Sequence, residues 1–232
     1  MNLRLPLTLA ALALIPSTLP AQNSPALKPL IAQLNASSRN FRSAQADVRY
    51  DNYTYVVRAH DISTGSIYIE RKGSAVTMGA VIFDDGAKSP SKILSFNGNT
   101  FEMYTPGVNQ IDVFKAGANQ AKYESFLTLG FGGSGTALND AWKIKDLGTE
   151  TIDGVATRKL DLTSNDPSVS NVFSHITIWL DPTRDVSLKQ MFFAPNGDTR
   201  TTFYTNIKLN SHIDTAPYDI NKLGKKATRI KH

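Results

Sequence analysis

Cysteine is absent from the 232 residues, which excludes disulfides, thiolate zinc sites, iron–sulfur clusters and a cysteine nucleophile. Histidine is scarce. His60, His175, His212 and His232 are the only four, and no two have the i, i+4 spacing of a helical zinc site. Past residue 21 no apolar run approaches the ~20 residues that a membrane-spanning helix needs. Acidic residues are missing from the first 21 positions and from the last eleven. Apolar residues are not scarce: 41% of the chain is hydrophobic, with 11 Phe and 8 Tyr. That excludes a disordered chain and supplies a core for one domain.

The net charge of +5 sits at the two ends. Arg4 lies in the opening segment, and Lys222, Lys225, Lys226, Arg229 and Lys231 lie in the last eleven residues. Without those six, 19 basic residues face 20 acidic ones. A phosphate-reading protein needs its basic stripe on the folded body, so no nucleic-acid partner is expected.

Residues 1–21 read as a secretory signal peptide. Arg4 supplies the positive end, residues 5–15 the apolar stretch, and Pro16 breaks it ahead of Leu19-Pro20-Ala21. Cleavage near Ala21 leaves a mature chain starting at Gln22, with no cysteine to lipidate. The expected location is the periplasm. Residues 22–221 then form a single domain, and 222–232 a flexible basic tail.

A helix opens the mature chain, with Ser24 as cap, Pro25 in its first turn, and Leu27, Leu30, Ile31 and Leu34 at helical spacing. Strands are expected at 46–58, 66–71, 75–83, 92–96, 100–104 and 110–114, from their β-branched and aromatic content. A second helix is expected at 119–129, ended by the glycines of 130–135. Strands resume at 142–148, 156–163, 175–181, 187–194 and 199–210. Asp85-Gly86, Asn97-Gly98, Asp153-Gly154 and Asn196-Gly197 accept the positive φ of tight turns, which favours sequential antiparallel pairing. In the last strand Phe203, Ile207 and Leu209 share one parity and polar residues the other, so one face is dry.

Catalytic chemistry has no clear carrier here. Gly132-Gly133-Ser134-Gly135-Thr136 lacks the second glycine of G-x-S-x-G and the Gly-Lys end of a phosphate loop. Asp181 and Asp185, and likewise Asp84 and Asp85, read as turn residues rather than a carboxylate pair. No catalytic residue, metal or cofactor is expected, and the chain reads as non-enzymatic.

Four segments, taken together, resemble the LolA-like family of periplasmic lipoprotein carriers. They are Gly65-Ser66-Ile67-Tyr68-Ile69-Glu70-Arg71; Phe96-Asn97-Gly98-Asn99-Thr100-Phe101-Glu102-Met103-Tyr104-Thr105-Pro106 with Gln110; Gly148-Thr149-Glu150-Thr151-Ile152-Asp153-Gly154 with Leu160 and Leu162; and Ile178-Trp179-Leu180-Asp181 followed by Asn196-Gly197-Asp198 and Phe203-Tyr204-Thr205-Asn206-Ile207. The residues themselves specify an α+β, mainly β, chain with a curved antiparallel sheet. The resemblance implies a half-open β-barrel whose concave apolar face is covered by helices and holds acyl chains.

It further implies a monomeric carrier that takes acylated lipoproteins or lipid from an inner-membrane release complex to an outer-membrane receptor. The alternative on the same fold is a sensor of lipid or envelope stress. By strand parity the acyl cavity would be lined by Ile67, Ile69, Phe101, Met103, Ile178, Leu180, Phe203 and Ile207. Arg71 shares the face of Ile67 and Ile69, and the resemblance makes it a latch between sheet and helical lid.

Overall fold

The computed structural model describes residues 27–73, 75–115, 117 and 128–232. The signal peptide, Ser24, Pro25 and most of the helix expected at 119–129 lie outside them. Helix α1 (Leu27–Asn40) is followed by β1 (Ser43–Thr54), β2 (Ala59–Lys72), β3 (Ala75–Asp84), β4 (Lys92–Asn97), β5 (Thr100–Thr105) and β6 (Gln110–Lys115). After α2 (Gly135–Ala141) come β7 (Trp142–Ile152), β8 (Val155–Ser164), α3 (Pro167–Ser170), β9 (His175–Asp181), β10 (Val186–Phe193) and β11 (Thr199–Leu209). A short α4 (Ile220–Leu223) and a last strand, β12 (Thr228–Lys231), end the chain.

All twelve strands form one sheet that does not close on itself, in the order β12-β6-β5-β4-β3-β2-β1-β11-β10-β9-β8-β7. Two antiparallel meanders, β1–β6 and β7–β11, meet where β1 pairs β11. Turn chemistry explains the hairpins. Asp153 and Gly154 both take positive φ (47° and 79°), so Ile152 pairs Val155 across a two-residue loop.

One hairpin was not foreseeable from turn residues. The expected strand at 46–58 is in fact most of β1 and then a reversal at Tyr55-Val56-Val57-Arg58, after which β2 begins at Ala59. The tip has no glycine or asparagine; Arg58 takes φ 52° itself, and the Tyr55 N–H donates to Asp198 Oδ1 at 2.9 Å.

The flexible-tail expectation also needs correction, because residues 228–231 pair in parallel with β6. Arg229 pairs with Glu102 and His232 with Asp112. An edge strand leaves a row of backbone donors and acceptors, and β12 satisfies those of β6. Removing 225–232 should therefore leave the domain folded but self-associating through the bared β6 edge. Light scattering on the truncated protein checks this, and a monomer at the concentrations where the intact protein is monomeric would refute it.

The core has two sides. Leu27, Leu30 and Leu34 of α1 pack on Trp142, Ile144, Leu160, Leu162, Ile176, Ile178 and Leu180 of β7–β9. On the opposite face Ile213, Tyr218 and Ile220 of the C-terminal segment cover Tyr68, Val81, Ile93, Tyr104 and Ile111. Gly79 permits the close approach there, since a Cβ would fall 2.8 Å from that of Tyr218.

Candidate ligand-binding face

Residues paired in register share a face of the sheet, so the face that carries α1 can be followed strand by strand. Leu160 pairs Ile178. Across the seam, Ala44 pairs Ile69, then Met78, Phe96 and Phe101 follow in register. One step along, Ala46, Ile67, Ala80, Leu94 and Met103 form the next row. The face is thus apolar at both ends. Beneath α1, Ile178 and Leu180 are buried at 1% and 3% exposure. At the β2–β5 end Ile67, Leu94, Phe101 and Met103 are only half-buried.

Six of the eight expected lining residues (Ile67, Ile69, Phe101, Met103, Ile178 and Leu180) therefore share one face. Phe203 does not. It pairs Arg49 and Lys189 on the opposite face, with the Lys189 ammonium 5.4 Å and the Arg49 guanidinium 5.6 Å from its ring centre. The cause is a bulge: Asn206 takes φ 50°, and Asn206 and Ile207 together oppose the single residue Ala46. An extra residue reverses the alternation, so parity carried from Ile207 back to Phe203 fails. Ile207 itself packs against the clusters of both faces, near Val186 and near Leu188.

Polar contacts hold α1 and the adjoining loop over this face. Arg71, on the α1 face, points Nη1 at the Ser38 carbonyl 3.4 Å away, in the last turn of α1, where unpaired carbonyls and the helix dipole favour a cation. Its guanidinium also stacks over the Phe41 ring at 5.6 Å. The carboxylates that could have claimed it are engaged elsewhere, Glu70 with Lys72 at 3.0 Å and Glu102 with Arg229. Phe41 in turn lies under Gly132, where a Cβ would come within 2.2 Å of the ring. Only a glycine, already at φ 71°, lets the loop lie so close.

Two side chains overlooked as functional candidates complete the closure. Asp185, read from sequence as a turn residue, accepts hydrogen bonds from Gln33 Nε2 (2.6 Å) and Ser37 Oγ (2.7 Å) of α1. Gln190 donates from Nε2 to the Leu129 carbonyl at 2.7 Å, and accepts from the Tyr204 hydroxyl at 3.0 Å. No sequence spacing signals either residue, because their partners in the covering elements are 61 to 152 positions away. Helix α2 is tied to α1 by reciprocal bonds between Asn35 and Thr136 at 3.0 Å. Between α1, the 128–134 loop and Ile178 and Leu180 remains a pocket of about 40 Å³, roughly a tenth of what a ligand site needs.

The residues considered for catalysis have structural duties. Ser134 caps α2, accepting from the Ala137 N–H at 3.1 Å. Burial pushes the Asp181 carboxyl up, but the Arg184 guanidinium and the backbone N–H groups of Thr183 and Arg184 outweigh it and hold it below the usual range.

No family model matches the sequence, and no curated protein is found similar to it. Solved structures do match. An uncharacterized conserved protein from Thermus thermophilus superposes with a TM-score of 0.56 at 11% identity, over 88% of this chain and 98% of that one. MucB superposes with a TM-score of 0.50 at 14% identity, over 84% of this chain but 63% of its own. A LolA superfamily protein from Nitrosomonas europaea matches at 0.37 and 14% identity, over 80% and 96%. At such identities the likeness concerns the fold alone. The fold shared with the Thermus protein and MucB is an unclosed antiparallel sheet with a helix laid across one face.

Proposed function

We propose that the protein is a carrier of acylated cargo, which binds acyl chains on the α1 face of the sheet. One observation carries this reading. The face is apolar at both ends, under α1 on β8–β9 and again across β2–β5, yet the elements covering it are held at their edges by polar contacts, among them those of Arg71, Asp185 and Gln190. Such a cover can be displaced by something that replaces its apolar contacts. Acyl chains do so, since each buried CH₂ contributes ~0.8 kcal/mol. The small pocket marks the closed form, and loading requires the cover to move as a unit with α2.

In this reading Arg71 is the latch of the lid. The protein works in the periplasm as a monomer without cofactor, receiving lipoproteins at the inner membrane and yielding them to an outer-membrane receptor. Purified periplasmic protein should begin at Gln22, checked by intact mass. It should bind an acyl-chain fluorophore and carry a lipoprotein from inner-membrane vesicles into a soluble complex. Fluorophore binding without transfer would point to the sensing alternative, and absence of both would refute the reading.

A further inference from the structure

The α1 face is interrupted at its centre. One register row runs Gln190, Thr202, Tyr50 and Ser63 across β10, β11, β1 and β2, and Tyr204 lies beside Thr202 on the same face. Gln190, Thr202 and Ser63 are 4%, 5% and 9% exposed. On one side of this belt lie Ile178 and Leu160, on the other Ile67 and Leu94. Hydroxyls and an amide in the middle of an apolar surface cost stability unless they meet partners. In the closed form two are met internally. Tyr204 donates to Gln190, and Gln190 donates to the Leu129 carbonyl of the covering loop. The Tyr50 hydroxyl makes no hydrogen bond among the described residues.

We infer that this belt is the polar subsite of the cavity, taking the ester carbonyls at which two acyl chains join a glyceryl group. The inference rests on the carrier reading, since lifting the 128–131 loop takes the Leu129 carbonyl away from Gln190. That leaves an amide N–H and the Tyr50 O–H as donors with no protein acceptor, served by water until a ligand displaces it. The ligand must therefore bring acceptors. It should also be neutral there, because no side chain from Gln190 to Ser63 is charged, and beyond Ser63 the row reaches a carboxylate at the exposed Asp84. Next along β11 on this face, Arg200 is already stacked over Phe173 at 5.8 Å. Burial raises the Tyr50 phenol to about 12 and the Tyr204 phenol further, so both remain protonated donors. Chains attached at the belt can run to the two apolar ends.

The test compares dioctanoylglycerol with its dioctyl ether counterpart, which keeps the chains and loses the carbonyls. The full-length mature protein should prefer the ester by about tenfold, the scale of one or two hydrogen bonds. Tyr50→Phe should reduce that preference several-fold while leaving ether affinity and melting temperature near wild type. Tyr204→Phe should reduce it too, with a lower melting temperature because the Gln190 side-chain carbonyl loses its donor. A diacylglyceryl-cysteine peptide, tested in parallel, should show the same loss if the glyceryl ester is what is read. Loss for dioctanoylglycerol alone would assign the belt to free glycerolipid. Equal affinity for ester and ether, or a preference that survives both variants, overturns the belt. Binding of neither overturns the carrier reading itself.

Discussion

Met103→Asp is expected to lower the affinity for an acyl-chain fluorophore about a hundredfold, the ~3 kcal/mol that a carboxylate without a partner costs on an apolar surface. The fold should survive, because Met103 is half-buried and sits at the end of the face away from α1. Two controls make the outcome interpretable. Ile178→Asp, at 1% exposure beneath α1, should unfold the domain or lower its melting temperature steeply. Phe203→Asp places the same charge on the opposite face, next to Lys189 and Arg49, and should bind as wild type does. A folded Met103→Asp protein with unchanged affinity would remove the β2–β5 end from the site.

Loss of the latch should appear in kinetics rather than in affinity for a simple ligand. Arg71→Leu removes a charged donor from the C-terminal turn of α1 and a cation from the Phe41 ring. It should shift the open–closed balance by about 1–2 kcal/mol, the scale of a charge-assisted hydrogen bond at a partly exposed site. Stopped-flow release of a fluorescent acyl ligand should change by about tenfold, and lipoprotein hand-off should fall with it. Arg71→Lys should recover only part of the effect, since an ammonium can reach the Ser38 carbonyl but lacks the plane that stacks on Phe41. Wild-type rates in Arg71→Leu would show that the contact is structural only.

Eleven of the strands were legible because alternation and turn dipeptides speak locally. Val81, Ile93, Leu160 and Leu162 announce their strands without reference to anything distant. What was hidden depended on partners far along the chain. The Tyr55–Arg58 reversal uses an arginine at positive φ, so nothing marks it as a turn. β12 reads as a charged tail because Thr228-Arg229-Ile230-Lys231 becomes a strand only when the β6 edge is present. Alternation placed Ile67, Ile69 and Arg71 on one face correctly, since β2 pairs with β1 and β3 without interruption. It misplaced Phe203 because the bulge at Asn206 is set by opposition to Ala46. Asp185 and Gln190 were invisible as lid contacts for the same reason: a turn carboxylate and a strand amide gain that meaning only once α1 and the 128–131 loop lie above them.

The join between β1 and β11 has a consequence for how the chain reaches this state. Each meander consists of neighbouring hairpins, whose loops are short and cost little entropy to close. The join instead pairs Ala44 with Leu209 and Tyr53 with Thr199, so it must close nearly the whole chain, and contacts of that range slow folding. A chain lengthening from its N-terminus can lay β1 to β6 side by side early, but β1 then waits as a bare edge until β11 is made. During that interval the half-sheet offers an unpaired strand and an uncovered apolar face to any neighbour. The stretch at greatest hazard of wrong pairing in the newborn chain is thus the one that ends at the centre of the finished sheet.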